Sequence, residues 1–260
     1  MLGAMQPPRI VLHQFVASHF NEKARWALDW KRIPHRRRTW FPGPHAPAML
    51  RLSGQRTTPV LVIDDDVIPG SAAIVAALDQ RFPERPLLPA DPELAARALA
   101  LQSHFDAEVG PAVRSAVFSV LIHEPGQLCR TFSQGKPGWS SALYRAAFPL
   151  TRHVIARANG VLDPADVERA FAASEAALDL VAREAGPGGQ LVGDAFSLAD
   201  LACAALLAPL VSPDHPDMRA PSPRPASLDA FYARFASHPG AAWVREQYQR
   251  HRPAPCVVGG

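Results

Sequence analysis

Cysteine is scarce in this chain: Cys129, Cys203 and Cys256 are the only three among 260 residues. None has a partner at Cys-x-x-Cys spacing, which excludes a disulfide framework, a thiolate-built zinc or iron–sulfur site and a dithiol redox pair. Cys203, set in an alanine–leucine run, reads as a small buried hydrophobe. Long apolar runs are also missing, and none reaches the ~20 residues that cross a bilayer. Residues 1–8 lack the charged start and apolar stretch of a secretion signal, so a cytoplasmic location without membrane contact is expected. Neither sign of charge dominates: the net charge is +3, made of +5 through Ala90 (12 basic against 7 acidic) and −2 beyond it (15 against 17). A mildly basic first part suits a small anionic ligand. Arg36-Arg37-Arg38 has no interleaved aromatics and reads as a solvated edge, so nucleic acid is not an expected partner.

Proline, by contrast, is plentiful, with 27 residues, and it punctuates the chain. Ile10-Val11-Leu12 with Phe15 reads as a buried strand, and residues 21–31 as a helix stopped by Pro34. In that helix Ala24, Ala27 and Leu28 share one stripe, with Glu22, Lys23 and Asp29 off it. Residues 35–40 form a second strand, followed by a proline-broken loop and a short helix near Met49. Val60-Leu61-Val62-Ile63 and the strand from Val67 make a hairpin about Asp64-Asp65-Asp66. Ser71 then caps a helix with Ile74, Val75, Leu78 and Phe82 on its apolar face. The order β-α-β-α-β-β-α within about 80 residues is that of a thioredoxin-like unit. Pro83, Pro86, Pro89 and Pro92 mark a linker. Everything beyond reads as helical, with helices starting at Asp163-Pro164 and at Ser197, Pro209 ending or kinking the latter, and loose residues after Pro253.

Four stretches resemble the cytosolic glutathione transferase family in order and distance. They are Leu12 through Phe15 with Ala24 through Leu28, Thr58-Pro59-Val60-Leu61, Ile68 through Ile74, and Phe196-Ser197-Leu198-Ala199-Asp200. The resemblance implies an α/β plus all-α architecture: a thioredoxin-like domain over residues 1–84 and an all-helical domain over residues 92–252. It implies glutathione as co-substrate, no metal, a homodimer, and detoxifying transfer of glutathione to a small hydrophobic electrophile. The same scaffold also allows a non-catalytic binding protein, or a glutathione-dependent isomerase or dehalogenase.

The resemblance also points to residues. Ser18 stands where serine-type members face the glutathione sulfur; a hydroxyl donor and a helix N-terminus both favour a thiolate over a thiol of pKa near ~8.5. Ser18 also fits a simple N-cap near Asn21. Gln14 occupies the place of the tyrosine used by other classes, and a Cys-x-x-Cys pair would fall on Ser18 and Asn21. Asn21 is either a donor to the ligand or a first-turn residue. His19 reads as an exposed turn histidine. Pro59, preceded by Thr58, is expected in cis, with Val60 offering its backbone to the peptide as an added strand. Ser71 is expected to hold the γ-glutamyl carboxylate. Gly70 replaces the family's acidic residue, removing a charge-assisted bond worth ~1–3 kcal/mol. His45, Gln55 and Arg56 are candidate donors for the glycyl carboxylate, with Arg56 the best matched in charge. Ser197 and Asp200 read as a structural capping box. Phe105, Val109, Val113 and Phe118 serve either an acceptor pocket or the core.

Overall fold

The computed structural model describes residues 8–259. Strand β1 (Ile10–Gln14) lies between β2 (Arg36–Thr39), to which it is parallel, and β3 (Val60–Ile63), to which it is antiparallel; β4 (Asp66–Pro69) completes the order β2-β1-β3-β4. An interior strand covered by helices on both faces has no solvent side, which is why all four residues of β3 are buried rather than alternating. Helices α1 (His19–Trp30), α2 (His45–Ser53) and α3 (Ser71–Arg81) complete the first unit.

The proline-rich segment after α3 is tied down, not slack. Asp79 accepts from the amides of Leu87 and Leu88, Lys31 Nζ donates to the Phe82 carbonyl at 2.8 Å, and Leu198 N donates to the Leu87 carbonyl at 2.7 Å. Beyond it the chain is helical: α4 (Pro92–His104), a π-helical turn at Phe105–Val109, α5 (Gly110–Leu121), α6 (Pro125–Ser133), α7 (Gly138–Ala158), α8 (Pro164–Glu184), α9 (Leu198–Val211), α10 (Ala226–Phe235) and α11 (Pro239–His251). Helix α9 is buried nearly all round and packs against α1, α4, α5 and α11. Pro209 neither ends nor replaces it; the helix runs on to Val211 and stops at Ser212 with φ 44°.

The capping box sits at the head of α9. Asp200 accepts from Ser197 N at 2.9 Å, Ser197 Oγ at 3.0 Å and Leu191 N at 2.7 Å, all buried. Burial pushes its carboxyl pKa up despite those donors. Asp200→Ala leaves two backbone amides and a hydroxyl unmatched, so a loss of about 2 kcal/mol is expected in urea unfolding.

Glu22, Lys23 and Asp29, off the apolar stripe of α1, are buried as well, because α9, α3 and the chain end pack against that helix. Two expectations beside it change. The residues after Pro253 are anchored: Cys256 N donates to Asp29 Oδ1 at 2.7 Å, and Val257 forms a parallel bridge with His35 beside β2. In the expected solvated edge Arg36 and Arg38 are exposed, while Arg37 between them pairs with Asp29 at 3.0 Å and Asp217 at 2.7 Å.

A candidate active site at the head of helix α1

The segment from β1 into α1 is fixed by a buried arginine. Arg25 Nη1 donates to Gln14 Oε1 at 3.0 Å and to the Phe15 carbonyl at 3.1 Å, while its Nε donates to Glu22 Oε2 at 2.8 Å. An arginine fork fits this geometry because it spreads several donors over a fixed plane. The turn it holds delivers Ser18 to the N-cap of α1, with φ −138° and ψ 123°, where its Oγ accepts weakly from Asn21 N at 3.5 Å. Ser18 is only partly enclosed, unlike His19 next to it and the run from Asn21 to Asp29.

The head of α1 meets the head of α5 closely. Gly110 permits this: a Cβ there would lie 2.6 Å from the Phe20 ring. His19 is therefore buried, not exposed, and bonds the Gly110 carbonyl through Nε2 at 3.0 Å. Burial, with Arg114 and Lys23 nearby, drops its pKa to about 3, so the ring is neutral at physiological pH. Asn21 is fully buried; its Nδ2 donates to Thr58 Oγ1 at 3.2 Å, and its Oδ1 has no partner.

A cavity of about 420 Å³ opens at this point, between the first unit and helices α5, α6 and α7. It lies in the size range that holds small organic ligands. Ser18, His45 and Thr58 line it together, with Phe118, Tyr144 and Arg114 among the residues facing them. His45 is the first residue of α2; its ring meets that of Phe15 edge-on with centroids 4.6 Å apart, and burial lowers its pKa. Phe105, Val109 and Val113 belong to the core, while Phe118 reaches the cavity.

The remaining expected site residues lie elsewhere. The Thr58–Pro59 peptide is cis, and Pro59 and Val60 are buried. Val60 is paired on both sides, opposite His13 in β1 and Pro69 in β4, so it has no free strand edge for a peptide. The backbone just ahead of it, at Thr58, is the part that reaches the cavity. Gly70, not Ser71, is the N-cap of α3, with φ 88°; Ser71 is the helix's first residue and is buried. A hydrogen bond from Gly70 N to the Pro59 carbonyl, 2.9 Å, joins that helix start to the Pro59 turn. Gln55 and Arg56 are exposed, and neither borders the cavity.

Three residues of the site are not among the candidates that the sequence yields. For Arg25 the available signal is a basic residue three positions after Glu22, the spacing of an ion pair on one helix face. Tyr144 on α7 and Arg114 on α5 carry no local motif at all. One other cluster has metal-like donors: Glu22, His215 and Asp217 offer ligand atoms within 4.8 Å of one another. Both carboxylates are already matched to arginines, Glu22 to Arg25 and Arg252 and Asp217 to Arg37 and Arg252. The cluster is thus an ion-pair network instead of a cation site.

Comparison with known proteins bears on the fold. Residues 12–86 match the family described as glutathione S-transferase, N-terminal domain. Glutathione S-transferase 1 of Dianthus caryophyllus is 35% identical over 105 residues, which are 39% of this chain and 47% of that protein. The match therefore spans about half the length of that relative. Among solved structures, the beta-etherase LigF of Sphingobium sp. strain SYK-6 superposes with a TM-score of 0.60 at 19% identity, covering 92% of this chain and 99% of that one. A glutathione S-transferase from Methylobacillus flagellatus KT, solved with glutathione bound, gives a TM-score of 0.60 at 18% identity over 93% of this chain and 95% of that one. The two-part fold, a mixed four-stranded sheet with its helices followed by a helical remainder, is the fold of these structures.

Proposed function

We propose that this chain, which belongs to the glutathione S-transferase family, binds glutathione at the head of α1 and transfers it as a thiolate to a small hydrophobic electrophile. The observation that carries this reading is the Ser18 hydroxyl, set at a helix N-terminus and lining a cavity together with Thr58. The Ser18 hydroxyl donates to the sulfur, and the first amides of α1 add positive potential; both favour the ionised form. The thiol proton leaves to water, the sulfur forms a bond to the electrophilic carbon, and the leaving group departs with its electron pair. Thr58, tied to α1 through Asn21, supplies the backbone that aligns the cysteinyl segment. Ser71 and the amides of α3 receive the γ-glutamyl carboxylate, with Pro59, Val60 and Gly70 forming the wall behind it. His45 at the cavity, with Arg56 outside its lining, is the proposed donor set for the glycyl carboxylate. In this reading residues 1–84 hold glutathione, residues 92–252 supply the acceptor pocket, and the protein acts as a cytoplasmic homodimer.

Ser18→Ala is expected to lower kcat/KM for glutathione with 1-chloro-2,4-dinitrobenzene by about ten- to a hundredfold, the worth of one hydrogen bond to a charged atom. Equal rates for the two proteins would remove Ser18 from the chemistry. Gly70 favours a second reading, a glutathione-transferase-like binding protein, because no side chain there can pair with the γ-glutamyl ammonium. Titration calorimetry separates the two: absence of heat at millimolar glutathione, together with absence of conjugation, supports the binding protein.

A further inference from the structure

Arg114 stands on α5 and borders two adjoining hollows, the cavity that contains Ser18 and a smaller one of about 80 Å³ running toward Asp217. The surfaces around it are largely apolar, with Phe15, Phe118, Leu128 and Phe132 on the cavity wall. Its Nε is buried without a partner, and no ion pair involves it among the described residues. Burial lowers its pKa, and no neighbouring anion offsets that effect. A guanidinium nevertheless stays charged at neutral pH.

Other enclosed cations of this chain are matched. Lys23 pairs with Asp106 at 2.6 Å, Lys31 with Asp79 at 2.7 Å, Arg25 with Glu22 at 2.8 Å, and Arg252 with three carboxylates. Asp217, which lines the smaller hollow with Arg114, is committed to Arg37 and Arg252. His19 beside it is neutral and donates to Gly110. A desolvated cation without a counter-ion is costly to the fold, and the cost is recovered only when an anion enters. Aromatic walls set the rest of the requirement, since ring faces pack against rings.

We propose that the acceptor substrate is an aryl anion, its ring lying among Phe15, Phe118 and Phe132 and its carboxylate, phenolate or sulfonate pairing with Arg114. This inference rests on the proposed function for the identity of the nucleophile, but the charge preference of the cavity is measurable without it. Two matched pairs of probes test it in wild type, Arg114→Gln and Arg114→Lys. The reactive pair is neutral 1-chloro-2,4-dinitrobenzene and anionic 4-chloro-3,5-dinitrobenzoate. The binding pair, read by fluorescence without glutathione, is anionic 8-anilinonaphthalene-1-sulfonate and neutral N-phenyl-1-naphthylamine.

Arg114→Gln is expected to lower the anionic-to-neutral ratio about tenfold or more in both pairs, and Arg114→Lys to restore part of it. Comparing ratios across variants cancels the probes' differing intrinsic reactivities. An unchanged ratio, or equal losses for charged and neutral probes, overturns the inference. If neither halide reacts while the binding ratio still falls with Arg114→Gln, the transferase reading fails and the aryl-anion site stands.

Discussion

Arg252→Met is expected to cost about 3–5 kcal/mol of folding free energy, the toll of stripping one partner from a buried ionic network. Arg252 lies at the end of α11, fully enclosed, and reaches three carboxylates: Glu22 at 2.8 Å, Asp29 at 2.9 Å and Asp217 at 2.8 Å. Burial opposes its charge, yet these neighbours hold its pKa above the ordinary arginine range. Arg25 and Arg37 remain after the substitution, each already bound to one or two of the same carboxylates. Methionine fills most of the volume, so the loss measures uncompensated charge more than a void. Urea unfolding at pH 7.5 reads the effect. Adding Glu22→Gln to Arg252→Met is expected to restore part of the loss, because it removes one of the stranded charges. A loss below about 1 kcal/mol, the worth of an exposed pair, would show that the network is hydrated.

The same network explains what the sequence does and does not reveal. The strands are legible because an interior strand such as Val60-Leu61-Val62-Ile63 announces itself by a β-branched run between turn residues. Ser18 is legible as a cap because the side-chain types that close helix starts are few. Helix α1 misleads because amphipathicity assigns charge to the surface, whereas here the charged face of the helix is the one that meets Arg252, Tyr248 and Asp217. Those partners lie about two hundred positions downstream, beyond the reach of any local pattern. The burial of His19 depends on Gly110 for the same reason. The cap of α3 falls on Gly70 and not on the expected Ser71 because both glycine and serine serve as caps, and only the φ of 88° at Gly70 decides. In the helical part, Phe105, Val109 and Val113 recur every four residues and are core, whereas Phe118, five positions beyond Val113, faces the cavity. The π-helical turn at Phe105–Val109 has no mark in the sequence.

Stability should fall steeply between pH 6.5 and pH 4, and two histidines are the reason. His19 has its pKa lowered to about 3 and His13 to about 4, in each case first by burial and then by neighbouring cations, Arg114 for His19 and Arg38 for His13. Each is held neutral by the fold. His19 donates to Gly110, and His13 Nδ1 accepts from Trp40 Nε1 at 3.2 Å, a bond that a protonated ring loses. The unfolded chain binds these protons near pH 6.5, whereas the native state refuses them until pH 4 or lower. Unfolding therefore takes up protons below pH 6.5, so the stabilisation is complete above that value and is lost as pH falls toward the native pKa values. Each histidine contributes a slope of about 1.4 kcal/mol per pH unit, or about 3 kcal/mol by pH 4. Two such terms approach the whole stability of an ordinary domain, about 5–15 kcal/mol. Asp217, held down to about 2 by Arg25, Arg37 and Arg252 against the opposing effect of burial, adds its own loss only below about pH 4. Urea unfolding across pH 7.5 to 4.5 is expected to show the steep limb in wild type. His19→Gln, which keeps a donor toward Gly110 without a titrating ring, should flatten that limb by about one histidine's slope. An unchanged limb in His19→Gln would mean that His19 accepts its proton in the native protein, with the head of α1 open to water.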